Sequence, residues 1–234
     1  MGTVNLVTGS SSGIGHAICN ALLARGESVI GLARDHSRMP IVHDNFTATN
    51  IDFADIAALP QRLEQLTQQH PRIDNLICCA GYGQFGSLEE FSCEQINRLM
   101  TVNFTSQACV TRAIIPVMKK ANAGKIIFIG SEAARQGRKF GTIYCASKFA
   151  LRGMAQALRE ECNTRKIAVT IVNPGMVRSE FYDGLSFQPG EAPENYLTRQ
   201  DVATTILQIL DTPGTMVIDE INLSPLKKVI RSKD

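Results

Sequence analysis

In "IYCASKFA" (143–150), Tyr144 and Lys148 stand four residues apart. That spacing puts two side chains on one face of a helix. A phenol can give or take a proton, but a pKa near ~10 makes it a poor base at neutral pH. A neighbouring ammonium favours the phenolate. The pair is therefore either surface decoration or half of a proton-transfer device, and the stretch alone leaves both open. A second stretch, "VTGSSSGIG", sets Gly9, Gly13 and Gly15 between an apolar run and an amphipathic one. Glycine tolerates φ > 0 and lets backbone N–H groups approach a phosphate, and a helix start adds positive potential. Ser10, Ser11 and Ser12 add hydroxyls, and Ile14 lies between the last two glycines. The spacing G-x-x-x-G-x-G is not the common G-x-G-x-x-G. In a strand–turn–helix setting it still points to a dinucleotide.

Those residues need a scaffold. Apolar runs at 4–8, 28–33, 46–52, 75–80, 125–130, 167–173 and 216–223 predict seven strands, and several are continuous enough to be covered on both faces. Amphipathic stretches at about 14–25, 55–69, 92–121, 143–163 and 199–211 predict the helices between them. The alternation implies an α/β fold: a doubly wound, mostly parallel seven-stranded sheet with helices on both faces. With no repeat and no linker, residues 1–234 read as a single domain. The long irregular stretch at about 175–197 reads as a lid over a pocket, with Phe181, Tyr182, Leu185, Phe187 and Tyr196 giving it partly apolar character.

The second strand should end near the adenosine ribose. Here it runs into "GLARDHSR". Arg34 suits a 2′-phosphate by charge and bidentate geometry, with Arg38 assisting, which favours NADP. The competing reading takes Asp35 as the carboxylate that selects the free hydroxyl of NAD.

Composition narrows the class. A net charge of +2 gives no basic footprint for nucleic acid. No apolar run reaches the roughly 18 residues of a membrane span, and the first residues lack a leader pattern. Seven scattered cysteines with no C-x-x-C and four scattered histidines offer neither a disulfide framework nor a metal site. The expected setting is a reducing, cytoplasmic one.

Taken together, "TGSSSGIG" and "YCASK" resemble the T-G-x-x-x-G-x-G and Y-x-x-x-K motifs of the short-chain dehydrogenase/reductase family. The resemblance runs over nearly the whole chain. It implies a catalytic set of Asn103, Ser131, Tyr144 and Lys148. Ser131 lies thirteen residues before the tyrosine, as in the family, and Asn103 sits in "LMTVNFTS". By the same resemblance, Asp52 and Phe53 flank the adenine, Ala80 and Gly81 pass the cofactor, and Pro174, Gly175 and Val177 follow the sixth strand, with Ser179 where threonine is usual. Lys148 would hold the nicotinamide ribose and tune Tyr144, Ser131 would polarise the substrate oxygen, and Asn103 would hold a water. The implied activity is carbonyl–alcohol interconversion on a small molecule with NADP(H), or NAD(H), in a homodimer or homotetramer. One departure stands out: the family's Asn-Asn-Ala-Gly is "CCAG", so Cys78 and Cys79 replace residues that brace the sheet. Tyr82 and Phe85 are candidate substrate contacts, and Arg135, Arg138 and Lys139 are candidates for an anionic substrate. Other readings are a nucleotide-sensing protein without turnover, or an epimerase or dehydratase on the same scaffold.

Overall fold

The alternating pattern folds into nine strands and six α-helices in a computed structural model that describes residues 2–233. The strands are β1 (Val4–Thr8), β2 (Ser28–Ala33), β3 (Phe46–Asn50), β4 (Asn75–Cys78), β5 (Gly124–Ile129), β6 (Ile167–Pro174), β7 (Phe187–Pro189), β8 (Glu220–Leu223) and β9 (Ile230–Ser232). Seven of them form one sheet in the order β3-β2-β1-β4-β5-β6-β8, every pairing parallel. The helices are α1 (Gly13–Ala24), α2 (Leu59–Gln69), α3 (Cys93–Met100), α4 (Ser106–Ala121), α5 (Thr142–Cys162) and α6 (Arg199–Leu210).

Helical spacing decides which face each helix covers. On one side, Leu59, Leu63 and Leu66 of α2, Val110, Ile114 and Met118 of α4, and Leu151, Ala155 and Leu158 of α5 pack on Leu6, Leu76, Ile126 and Phe128. On the other, Ile18, Leu22 and Leu23 of α1 and Ala203, Ile206 and Ile209 of α6 pack on Val7, Ile77, Ile127 and Val172. Adjacent strand residues thus serve opposite cores, as a covered parallel sheet requires. The chain winds outward in both directions from β1 and β4. The crevice beyond their carboxyl ends is where such sheets bind ligands.

Three local outcomes differ from the sequence pattern. The stretch 92–121 is not one helix: α3 and α4 are joined by a π-helical segment, Thr101–Thr105. The last sheet strand spans Glu220–Leu223 rather than 216–223: the register with β6 begins at Glu220, and Met216 and Val217 lie exposed. The pair β7–β9 was not legible. Phe187, Gln188 and Pro189 lie antiparallel to Ser232, Arg231 and Ile230, so a short second sheet straps the lid to a distal segment.

Candidate active site

The turn after β1 is shaped by what a side chain would strike. Gly9 has φ +70° and a Cβ there would lie 2.9 Å from the Ala80 backbone. A Cβ on Gly15 would collide with the Gly9 carbonyl. Gly13 opens α1 at φ +54°. Ser12 precedes the helix without spending its hydroxyl on a cap bond. The turn therefore presents backbone rather than side chains at a helix N-terminus, which suits an anion.

Thr8 ties this turn to β4. Its hydroxyl donates to Gln107 Oε1 (3.0 Å) and accepts from the Cys79 and Ala80 N–H groups (2.9 and 3.0 Å). All of these atoms are buried or nearly so. This network holds "CCAG" in place without asparagine side chains. Cys78 turns toward Thr111 (3.8 Å), while Cys79 feels Lys148 and the Gly15 N–H. Burial pushes both thiols up to about 12, so neither is a reactive thiolate.

Tyr144 and Lys148 lie on the buried face of α5 with Ser147 and Leu151 between and beyond them. The Lys148 ammonium donates to the Ile129 carbonyl (3.1 Å) and sits 5.9 Å from the Tyr144 ring centre. Burial lowers Lys148 from the usual 10.5 to about 8. Burial also pushes the Tyr144 phenol up to about 12, and the Ser131 hydroxyl beside it pulls in the opposite direction. Expectation placed Tyr144 toward the phenolate under the charge of Lys148. Burial instead sets the direction of the shift. Ser131 lies two residues past the end of β5 and caps the following turn, accepting from the Ala133 N–H (3.1 Å).

Asn103 sits in the π-helical segment, fully buried. Its Oδ1 accepts from the Tyr82 N–H (2.9 Å), and its Nδ2 donates to the Tyr82 carbonyl (3.0 Å) and to Ser147 Oγ (3.2 Å). Ser147 in turn donates to the Tyr144 carbonyl (2.7 Å). Both amide atoms are thus engaged by protein. The extra residue of a π-turn is a common device for aiming a functional side chain. Gly81 passes close by: a Cβ there would come within 3.1 Å of Asn103 Oδ1 and 3.7 Å of Lys148 Nζ.

An aromatic cage covers the phenol. Phe85 lies 5.0 Å from Tyr144 between ring centres, Phe181 lies 5.9 Å away, and Phe187 stands 5.0 Å from Phe85. Tyr182 stacks edge-on to both Phe181 and Phe187. Tyr82 borders the cluster. Tyr196 does not join it but lies under the Arg178 guanidinium, 4.0 Å from its ring centre. Arg135 and Arg138 are engaged by Glu220 and Glu132, and Lys139 lies over Phe140.

At the adenosine end, Arg34 is exposed. The Asp35 carboxylate folds back on its own loop, accepting from the Ser37 N–H and hydroxyl (2.8 Å each). His36 anchors that loop between Ser10 (2.9 Å) and Asn50 (3.2 Å). Asp52 is exposed, accepting from the Ala54 N–H (2.9 Å). The Phe53 ring is packed into the core, so only its backbone can face an adenine. Pro174 ends β6, the Gly175 N–H donates to the Leu223 carbonyl (2.7 Å), and Val177 is buried at the start of the lid.

The family model for short chain dehydrogenase matches residues 3–188. The chain belongs to that family. Among relatives of this short-chain dehydrogenase, the sepiapterin reductase of Chlorobaculum tepidum is 30% identical over 240 residues, covering 94% of this chain and 95% of its own. An uncharacterised oxidoreductase of Schizosaccharomyces pombe is 32% identical over 178 residues, 75% of this chain and 61% of that protein. A solved structure of serine dehydrogenase complexed with NADP+ superposes with a TM-score of 0.82 at 25% identity, covering 94% of each chain. The chain is an oxidoreductase of the short-chain type with a nucleotide-binding Rossmann fold. Sequence reasoning missed Thr8, Gln107 and Ser147 as the struts behind the site. Thr8 and Ser147 carried a signal, as the threonine that opens "TGSSSGIG" and the serine inside "YCASK"; Gln107 carried none.

Proposed function

We propose that this oxidoreductase interconverts a carbonyl and an alcohol on a small, partly apolar molecule, with NADP(H) preferred over NAD(H). The buried Tyr144 phenol, between Ser131 and Lys148 under aromatic side chains, carries the reading. The residues present fit a dinucleotide, because the Gly9–Gly15 turn leaves backbone where side chains would clash. Gly9, Ser11, Ser12, Gly13, Ile14 and Gly15 would hold its pyrophosphate. Asp52, Phe53, Ala80 and Gly81 would hold its adenine and pass its length, and Lys148, Pro174, Gly175 and Val177 its nicotinamide end. When bound, the nicotinamide supplies or accepts the hydride at carbon.

The protein's part is the proton. With its phenol pushed up to about 12, Tyr144 is protonated at neutral pH, as a donor to a carbonyl oxygen must be. Ser131 stands beside it to stabilise negative charge on that oxygen. Asn103 positions rather than reacts: it fixes Tyr82 at the pocket wall and, through Ser147, the turn of α5 that bears Tyr144. Preference for NADP is supported by the Asp35 carboxylate being engaged by Ser37, which leaves Arg34 to meet the adenosine ribose. A similar protein complexed with NADP+ supports it too.

The test is NADPH and NADH oxidation against a panel of apolar ketones and aldehydes. Tyr144→Phe should lower kcat by roughly a hundredfold or more while NADPH still binds. Full activity in that variant would remove Tyr144 from the chemistry. NADPH binding with no turnover across the panel would instead leave a nucleotide-sensing protein.

A further inference from the structure

The mouth of the glycine turn is not bare. The Gly13 N–H, at the first residue of α1, donates to Glu180 Oε2 (3.2 Å). The other carboxylate oxygen, Oε1, is held by Arg199 Nη1 (2.7 Å) at the start of α6. Here the glutamate carboxylate stands in for a phosphate: an anion at a helix N-terminus, gripped by a guanidinium. Glu180 opens the short turn Glu180–Tyr182, whose next two residues are Phe181 and Tyr182 of the aromatic cage. No packing explains the contact, since Glu180 is exposed and its partners come from two other elements.

Resting on the dinucleotide reading above, we propose that Glu180 and the cofactor pyrophosphate compete for one seat, and that Arg199 changes partners. With no dinucleotide, Glu180 fills the positive end of α1 and latches the lid to α1 and α6. The pyrophosphate needs the same N–H and the same field, so its entry expels the carboxylate. Arg199, freed from Glu180, then faces the pyrophosphate and becomes a cofactor-binding residue. The expelled turn carries Phe181 and Tyr182, so cofactor entry is coupled to the shape of the pocket over Tyr144. The latch taxes affinity, as any competing internal ligand does.

NADPH titrations, read by the fluorescence of the bound nucleotide, test both halves. Glu180→Gln should lower Kd by roughly two- to tenfold, the range that a helix-terminal anion and a surface ion pair supply. Adding Arg199→Ala to Glu180→Gln should raise Kd again, because in that background the arginine serves only the pyrophosphate. The probe 2′-AMP, which lacks a pyrophosphate, should bind wild type and Glu180→Gln alike. An unchanged or weakened Kd in Glu180→Gln, or an equal gain for 2′-AMP, overturns the competition. Equal Kd values for Glu180→Gln and the double variant overturn the exchange by Arg199. Failure of wild type to bind NADPH at all would instead strike the dinucleotide reading. Matching melting curves of the free proteins establish that the variants fold.

Discussion

At the scale of single residues, burial is the dominant force on Tyr144 and Lys148. Lys148 keeps an ammonium where solvent cannot reach it, and its folded pKa of about 8 lies below the usual 10.5. An unfolded chain therefore binds a proton that the folded one lacks between those pH values, so this group makes stability rise there. Below pH 8 the full penalty applies. Lys148→Met should raise the melting stability at pH 7 by about 1–3 kcal/mol, and the gain should shrink toward pH 10. Urea unfolding of both proteins at pH 7 and pH 9.5 checks the sign, and a pH-independent difference would refute the electrostatic account. Turnover should fall in the same variant, since the ammonium beside the phenol is gone. Stability and chemistry thus pull in opposite directions at one position. The proposed set of Asn103, Ser131, Tyr144 and Lys148 was legible only through the resemblance to the family's motifs, since each residue's type and spacing alone left a bland reading open. The direction of the Tyr144 shift was not, because sequence shows a neighbouring charge but not the depth of burial.

At the scale of elements, the struts matter as much as the site. Sequence periodicity located α1, α2, α5 and α6 to within a few residues, because each buries one regular face. It merged α3 with α4, since a π-turn inserts a single residue and barely disturbs an apolar pattern. The resemblance implied that bracing is lost where cysteines replace the asparagines of "CCAG"; in the structure Thr8 braces this stretch, its oxygen serving Gln107 on α4 and the Cys79 and Ala80 N–H groups just after β4. Thr8→Val preserves shape and strands those partners. The expected loss is about 2–4 kcal/mol, because buried donors left unpaired cost more than the bonds themselves contribute. Equilibrium denaturation reads it directly. Thr8→Ser, which keeps the oxygen, should recover most of the loss. If serine were no better than valine, the hydrogen bonds would not be the cause.

At the scale of the whole molecule, two distant parts of the chain meet over the pocket. The lid lies between β6 and α6, yet β9 pairs with it, and Lys233 reaches the Tyr182 carbonyl and the Ser186 carbonyl. Arg231 with Glu191 and Lys227 with Glu194 extend the strap. No short-range pattern could reveal this, because "VIRS" is too brief to read as a strand and its partner lies more than 40 residues away. Amide hydrogen exchange should show Phe187–Pro189 and Ile230–Ser232 opening together, at a rate distinct from the central sheet. Independent exchange of the two segments would show that the strap does not act as a unit. The strap also bears on timing. If the β7–β9 ribbon covers a molecule seated under Phe181 and Phe187, release would require that three-residue pairing to part. Turnover in this enzyme would then keep the tempo of a latch, slowing with solvent viscosity, more than the tempo of a bond being made.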